Sequence, residues 1–122
     1  MTRHNDLVYL RHMRDHAREA ISILGTMPRD QLSESRVLQL ALLHLVEIVG
    51  EAATRVSPET RAKLAVLPWR DIVGMRNRIT HGYDTMKITM LWDTVTEDLP
   101  VLANAVDQFL QSEDPATEGE GA

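Results

Sequence analysis

The chain contains no cysteine, which excludes disulfides, thiolate nucleophiles and cysteine-ligated zinc. Aromatic residues make up only 4% of its 122 residues: one phenylalanine, two tryptophans and two tyrosines. With so few aromatics and no β-branched-rich runs, the composition leans towards helices. Positive charge is short as well. The formal net charge is −5 at pH 7, so a broad electrostatic grip on nucleic acid is not expected, and any polyanion must be met by a local patch. The polar N-terminus "MTRHND" has no apolar core of the kind a signal peptide needs. No uncharged run approaches the roughly 20 residues of a membrane span. The expectation is a cytoplasmic protein with no membrane association, built as one domain with a single core.

Helical periodicity is abundant. Leu7, Leu10, Ala17, Ile21 and Leu24 follow three-four spacing, broken only by Arg14, and Gly25 stands where a helix end wants it. Pro28 marks a turn in "TMPRDQLS", and Ser33 is the expected N-cap of a second, very apolar helix reaching Val56. Ser57 followed by Pro58 starts a short third helix through Leu64. Pro68 opens a fourth that is expected to end near Gly82. A last helix, Lys87 to Gln111, carries the stripe Ile88, Trp92, Val95, Leu99, Leu102, Val106 and Phe109, and Pro100 should kink it without ending it. The segment "SEDPATEGEGA" holds four acids and no large apolar residue, and reads as a disordered acidic tail over 112–122. The predicted fold is therefore all-α: an antiparallel bundle over 1–111 with about four long helices and a short inserted one.

Three polar constellations stand out. His12, His16 and Glu19 share a helical face, but Asp15 and Arg18 flank them and no further ligand is evident, so no metal is assigned. His44, Glu47, Glu51 and Arg55 form a polar line along the apolar second helix. Either the surplus apolar surface of that helix packs on a second subunit, or the line faces a partly buried site. Ion pairing with arginines of a neighbouring helix is the favoured reading. Gly50, between the two acids, permits close backbone approach.

The third constellation is "GMRNRITHGYD", 74–84. On a continuing helix, Ile72, Met75 and Ile79 would be buried while Arg76, Asn77, Thr80 and His81 are presented together. Gly82 then lets the chain turn and leaves Tyr83 at the helix end. A guanidinium fork beside an imidazole that titrates near neutrality suits a phosphodiester. Arginine holds the phosphate and stabilises charge developing on it, and histidine moves the proton. A capped, ion-paired helix end would account for the same residues without chemistry.

The stretch Arg76 to Tyr83 resembles the R-x-x-x-x-H-x-Y signature of HepT-like proteins, a branch of the HEPN superfamily. "HLVEIVGEAATRVSPETR", "LPWRDIVGMRNRITHGYD" and "LWDTVTEDLPVL" follow that family's pattern in order, over roughly Val37 to Leu102. The resemblance implies a helical homodimer acting as a metal-independent endoribonuclease toxin, with no cofactor. It implies a cognate minimal nucleotidyltransferase antitoxin that adenylylates the signature tyrosine. Carried over, Arg76 and His81 are the catalytic pair and Tyr83 is the modified residue. Asn77 and Arg78, at variable positions of the signature, are supporting RNA-binding candidates together with Thr80 and Glu51. The alternative is a non-catalytic helical partner, or substrate-presenting subunit, of a nucleotidyltransferase. The all-round apolarity of Val37 to Ala53 points to dimerisation through the second and fourth helices.

Overall fold

A computed structural model describes residues 3–81 and 85–113. Helix α1, Arg3–Leu24, buries Leu7, Leu10, Met13, Ala17, Ala20 and Leu24. It ends at Gly25, whose φ of 57° is left-handed and whose N–H donates to the Ile21 carbonyl. Arg14, which interrupts the apolar pattern, is itself buried. Its Nη1 lies 3.0 Å from Asp107 and its Nε 3.0 Å from Asp15. Arg18 reaches the same Asp107 oxygen at 3.2 Å. A buried guanidinium requires such a partner, so the break in the stripe is the ion-paired seam between α1 and the last helix.

The expected turn after Gly25 contains a short helix, α2, Arg29–Glu34, which buries Leu32. Ser33 lies inside α2 and does not cap the next helix. Ser35 does: its backbone is extended and its hydroxyl accepts from Leu38 N at 3.2 Å. Helix α3, Arg36–Thr54, then runs against α1 and buries Leu42, Leu43, Leu45, Val46, Val49, Ala52 and Ala53. By length and composition α3 is apolar enough to cross a membrane. Here it packs against α1 on one side and against α5 and α6 on another.

Helix α4, Pro58–Lys63, begins as expected, with the Ser57 hydroxyl accepting from Thr60 N. The same end is tied to α1. Asp6 is buried and accepts from Ser57 N at 3.0 Å, and from the hydroxyls of Ser57 and Thr60 at 2.6 Å each. Burial works to raise the Asp6 pKa, but these hydrogen bonds prevail and hold it below the usual carboxylate value.

The long fourth helix is divided. Helix α5, Trp69–Val73, stops at Gly74, and α6, Met75–Ile79, follows. Residues expected in its last turn are extended. Strand β1, Thr80–His81, pairs antiparallel with β2, Thr85–Met86, so that Thr80 stands opposite Met86 and His81 opposite Thr85. Lys87 N donates to the Ile79 carbonyl at 2.7 Å and closes the base of this ribbon. A ladder thus replaces helical hydrogen bonds just before the glycine, which is why the helix ends early.

The last helix is continuous but not uniform. Helix α7, Ile88–Asp93, passes through a π-helical turn, Thr94–Asp98, into α8, Leu99–Glu113. Pro100 directly follows the π-helical turn, an irregularity of the kind that accommodates a proline inside a continuous helix. The wider turn before it keeps Leu91, Val95, Leu99, Leu102, Val106 and Leu110 on one buried face. Helix α8 continues past Gln111, and the expected tail beyond Glu113 lies outside the described residues. The architecture is an all-α bundle in which α1 lies between α3 and α8, with α5–α6 packed on α3 and the ribbon following α6.

Candidate functional site

The site is built on a close helix crossing. A Cβ added at Gly50 would meet the carbonyl oxygens of Ile72 and Val73 at 3.3 and 3.4 Å. Glycine lets the α5 backbone lie this near α3, since a Cβ there would press the two carbonyls back by a few tenths of an ångström. The crossing is then fixed by the buried side chains of Ile72, Met75 and Ile79. Because these occupy one stripe, Arg76 and Arg78 fall on its opposite flanks, about 200° apart at 100° per residue.

Arg76 and Asn77 line one wall of a cavity of about 600 Å³. Its floor is the exposed face of α3, with His44, Glu47, Glu51 and Arg55. Its other wall is α1, with Tyr9 and His12. The polar line on α3 is thus gathered with the opening residues of the signature in one place. Arg76 Nε lies 3.0 Å from Glu47 Oε1, the cross-helix pairing expected for that line. Among the described residues none takes the two Nη groups of Arg76. Both partners of this pair are substantially exposed, so solvent screens it and its contribution to stability is small. Its effect is geometric: a carboxylate on the outer edge of the guanidinium restricts the arginine to the cavity wall. Glu51 pairs with Arg55 at 3.3 Å, four residues along the same helix.

The other expected site residues are dispersed. Arg78 donates to the Asp71 carbonyl at 3.3 Å and lines a separate, smaller cavity of about 190 Å³ with Glu97 and Asp98. The Thr80 hydroxyl donates to the Arg76 carbonyl at 2.9 Å, closing the end of α6. His81 belongs to β1, so the shared helical face expected for Arg76, Thr80 and His81 stops short of the last two. Tyr83, the expected modified residue, and Gly82 lie outside the described residues. His12 and His16 meet edge-on with ring centroids 6.0 Å apart, and the His16 Nδ1 donates to the His12 carbonyl at 2.7 Å. Among the described residues no group of three or more histidines and carboxylates is placed to hold a metal ion.

Sequence reasoning did not place Tyr9 or His12 in this cavity. Both sit on α1, far from the signature in the chain, and nothing in their spacing signals the approach of α1 to the α3 face.

The arrangement offers cationic, amide and imidazole groups around a cavity large enough for a nucleotide-sized ligand. The sequence matches the family described as Ribonuclease HepT-like over residues 13–109. It is 30% identical over 105 residues to a candidate RNase, TTE0752, of Caldanaerobacter subterraneus subsp. tengcongensis, covering 86% of this chain and 94% of that one. It is 31% identical over 95 residues to a candidate ribonuclease HepT of Thermococcus cleftensis, covering 75% and 86%. A candidate RNase of Methanocaldococcus jannaschii, MJ1380, is 25% identical over 107 residues, covering 88% and 98%. No solved structure gives a significant match.

Proposed function

The chain belongs to the ribonuclease HepT-like family, and from that premise we propose that it is an endoribonuclease working through Arg76 and His81. The observation that carries the reading is Arg76 held by Glu47 on the wall of the 600 Å³ cavity, its Nη groups unused by the described residues. Those Nη groups suit a bidentate grip on a phosphate. The 2′-hydroxyl of the preceding nucleotide attacks that phosphorus and loses its proton to a base. The 5′-oxygen of the next nucleotide leaves and takes up a proton. Arg76 neutralises the charge that develops on the phosphoryl oxygens. His81, five residues further on, is the proton-transfer group. Asn77 and Glu51 share the cavity as supporting residues, whereas Thr80 acts on the Arg76 backbone and Arg78 acts on another face.

The signature's own residues supply phosphate binding and proton transfer, so the reaction is read as independent of a divalent ion. Cleavage of single-stranded RNA should survive EDTA and leave cyclic or 3′-phosphate ends. Arg76→Ala and His81→Ala should each abolish it. Cleavage that returns only with added magnesium would overturn this mechanism, and wild-type protein that leaves RNA intact would overturn the activity.

The same reading makes this protein a cytoplasmic toxin working as a homodimer. Val37 and Leu40 on α3 and Val73 on α5 are exposed apolar residues on the elements expected to form that contact. A stable monomer in light scattering would contradict it. The proposed off switch is adenylylation of Tyr83 by a cognate minimal nucleotidyltransferase antitoxin. Bulk and negative charge two residues beyond His81 would compete with RNA for Arg76. Co-expression with the nucleotidyltransferase should add AMP-sized mass to the Tyr83 peptide. Tyr83→Phe should remain active beside it. A Tyr83→Phe variant neutralised as well as wild type would rule the switch out.

A further inference from the structure

We propose that Tyr9 and His12, on the α1 wall of the cavity, form the stacking platform for the nucleobase next to the phosphate held by Arg76. The inference rests on the ribonuclease reading and names where the substrate base sits.

The cavity spans from Arg76 on α6, across the α3 floor, to α1. That is far more room than a phosphate alone requires. The far wall carries two rings. Tyr9 is half-buried against the core, so its ring is held in place, and it still lines the cavity. His12 is exposed and its ring is braced edge-on by His16. Among the described residues no side-chain hydrogen bond or ion pair fixes Tyr9 to any other group. A tyrosine ring lining a cavity of this size is conspicuous in a chain with five such aromatics.

Charge leads to the same conclusion. The chain carries a net −5, and this cavity sets Arg55 and Arg76 against Glu47 and Glu51. Its electrostatic field is therefore too weak to hold a polyanion by phosphate contacts alone. Affinity for RNA must come largely from elsewhere. Stacking of an unpaired base on an aromatic face is the contact that single-stranded RNA offers in addition to its backbone.

The test uses the full-length, unmodified protein and a short single-stranded RNA carrying 2′-O-methyl groups, which block cleavage, with 2-aminopurine as a fluorescent base. Wild type should bind and quench the 2-aminopurine. Tyr9→Ala should weaken binding by about 5- to 150-fold, the range expected for loss of one stacked base, and abolish the quench. Tyr9→Phe should behave as wild type, and His12→Ala should give a smaller loss. Because Tyr9 also packs on the core, Tyr9→Leu is the deciding variant, since it keeps apolar bulk without a π-face. Tyr9→Leu with weakened binding and lost quench supports the platform. Tyr9→Leu that binds and quenches as wild type overturns it and leaves the ribonuclease reading standing. Wild-type protein with no affinity for the RNA overturns both.

Discussion

Arg76 and Arg78 stand two residues apart on a five-residue helix, and the fold gives them different surroundings. Arg76 is aimed over α3, where Glu47 takes its Nε and histidines, an asparagine and a tyrosine share the cavity. Arg78 is turned to the opposite flank, bonded to a backbone carbonyl beside Glu97 and Asp98. In the sequence they already differ, with Arg76 as the signature's catalytic arginine and Arg78 as a supporting candidate at a variable position. What separates them is the buried stripe of Ile72, Met75 and Ile79 and the place where α3 runs beneath it. A local basic cluster thus resolves into one arginine held at its Nε by Glu47 on the wall of the larger cavity and one bonded to a backbone carbonyl on the opposite flank.

The sharpest break of this comparison is to remove each arginine in turn. Arg76→Ala should lower kcat for RNA cleavage by about 100- to 1,000-fold, as expected when a donor to the developing charge is lost. Arg78→Ala should leave cleavage within about threefold, since it lies away from the cavity and removes at most one weak phosphate contact. Equal losses in steady-state assays would mean that both arginines meet the substrate. The crossing that separates them can be attacked directly. Gly50→Val would drive a branched side chain into the α5 carbonyls and cost about 1–3 kcal/mol of stability, read as a lower midpoint in urea. It should move Arg76 away from Glu47 while leaving Arg78 with Asp71, which travels on the same unit.

A gentler change isolates the anchor. Glu47→Gln keeps shape but loses the charge, and should lower kcat roughly tenfold by loosening the geometry of Arg76. Fold stability should hardly move, because the pair is exposed. A stability loss comparable to the loss of activity would mark Glu47 as structural. The smallest effect lies far from both arginines. Asp6 braces the Ser57 cap of α4, and Asp6→Asn, which loses hydrogen bonds to a charged group, should cost about 1–3 kcal/mol at neutral pH. Its folded pKa is depressed, so its contribution is fully present above the unfolded carboxylate value of 3.8 and is lost as pH falls through the lower folded value. The stability gap between wild type and Asp6→Asn should therefore be constant near neutrality and narrow below about pH 4. A gap unchanged at acid pH would show that the hydrogen bonds do not distinguish the charged form.

Much of the fold was legible because helices report themselves in three-four spacing. Gly25, the Ser57-Pro58 start of α4 and the buried face from Val95 to Val106 were all placed by local rules. So was the close approach at Gly50. The misplacements fall where non-local bonds override local preference. Ser33 looks as good a cap as Ser35, and the buried Leu32 together with the Gln39 amide bonded to the Leu32 and Ser33 carbonyls holds Ser33 within α2. The helix through Arg76 was expected to reach Gly82, yet pairing with Thr85 and Met86 ends it at Ile79. Arg14 read as an interruption because its partner, Asp107, lies 93 residues away.

By itself, the sequence determined the helical class, the buried faces and the chemical identity of the residues in the signature, since these depend on composition and on contacts within a few residues. Which of those residues share a cavity was decided only by tertiary structure. The α3 floor and the α1 wall come from segments distant in the chain, and they meet Arg76 because α5 packs closely on α3 at Gly50 while α1 packs on α3 from another side. Periodicity fixes the direction of a side chain relative to its own helix; what it faces depends on how helices cross.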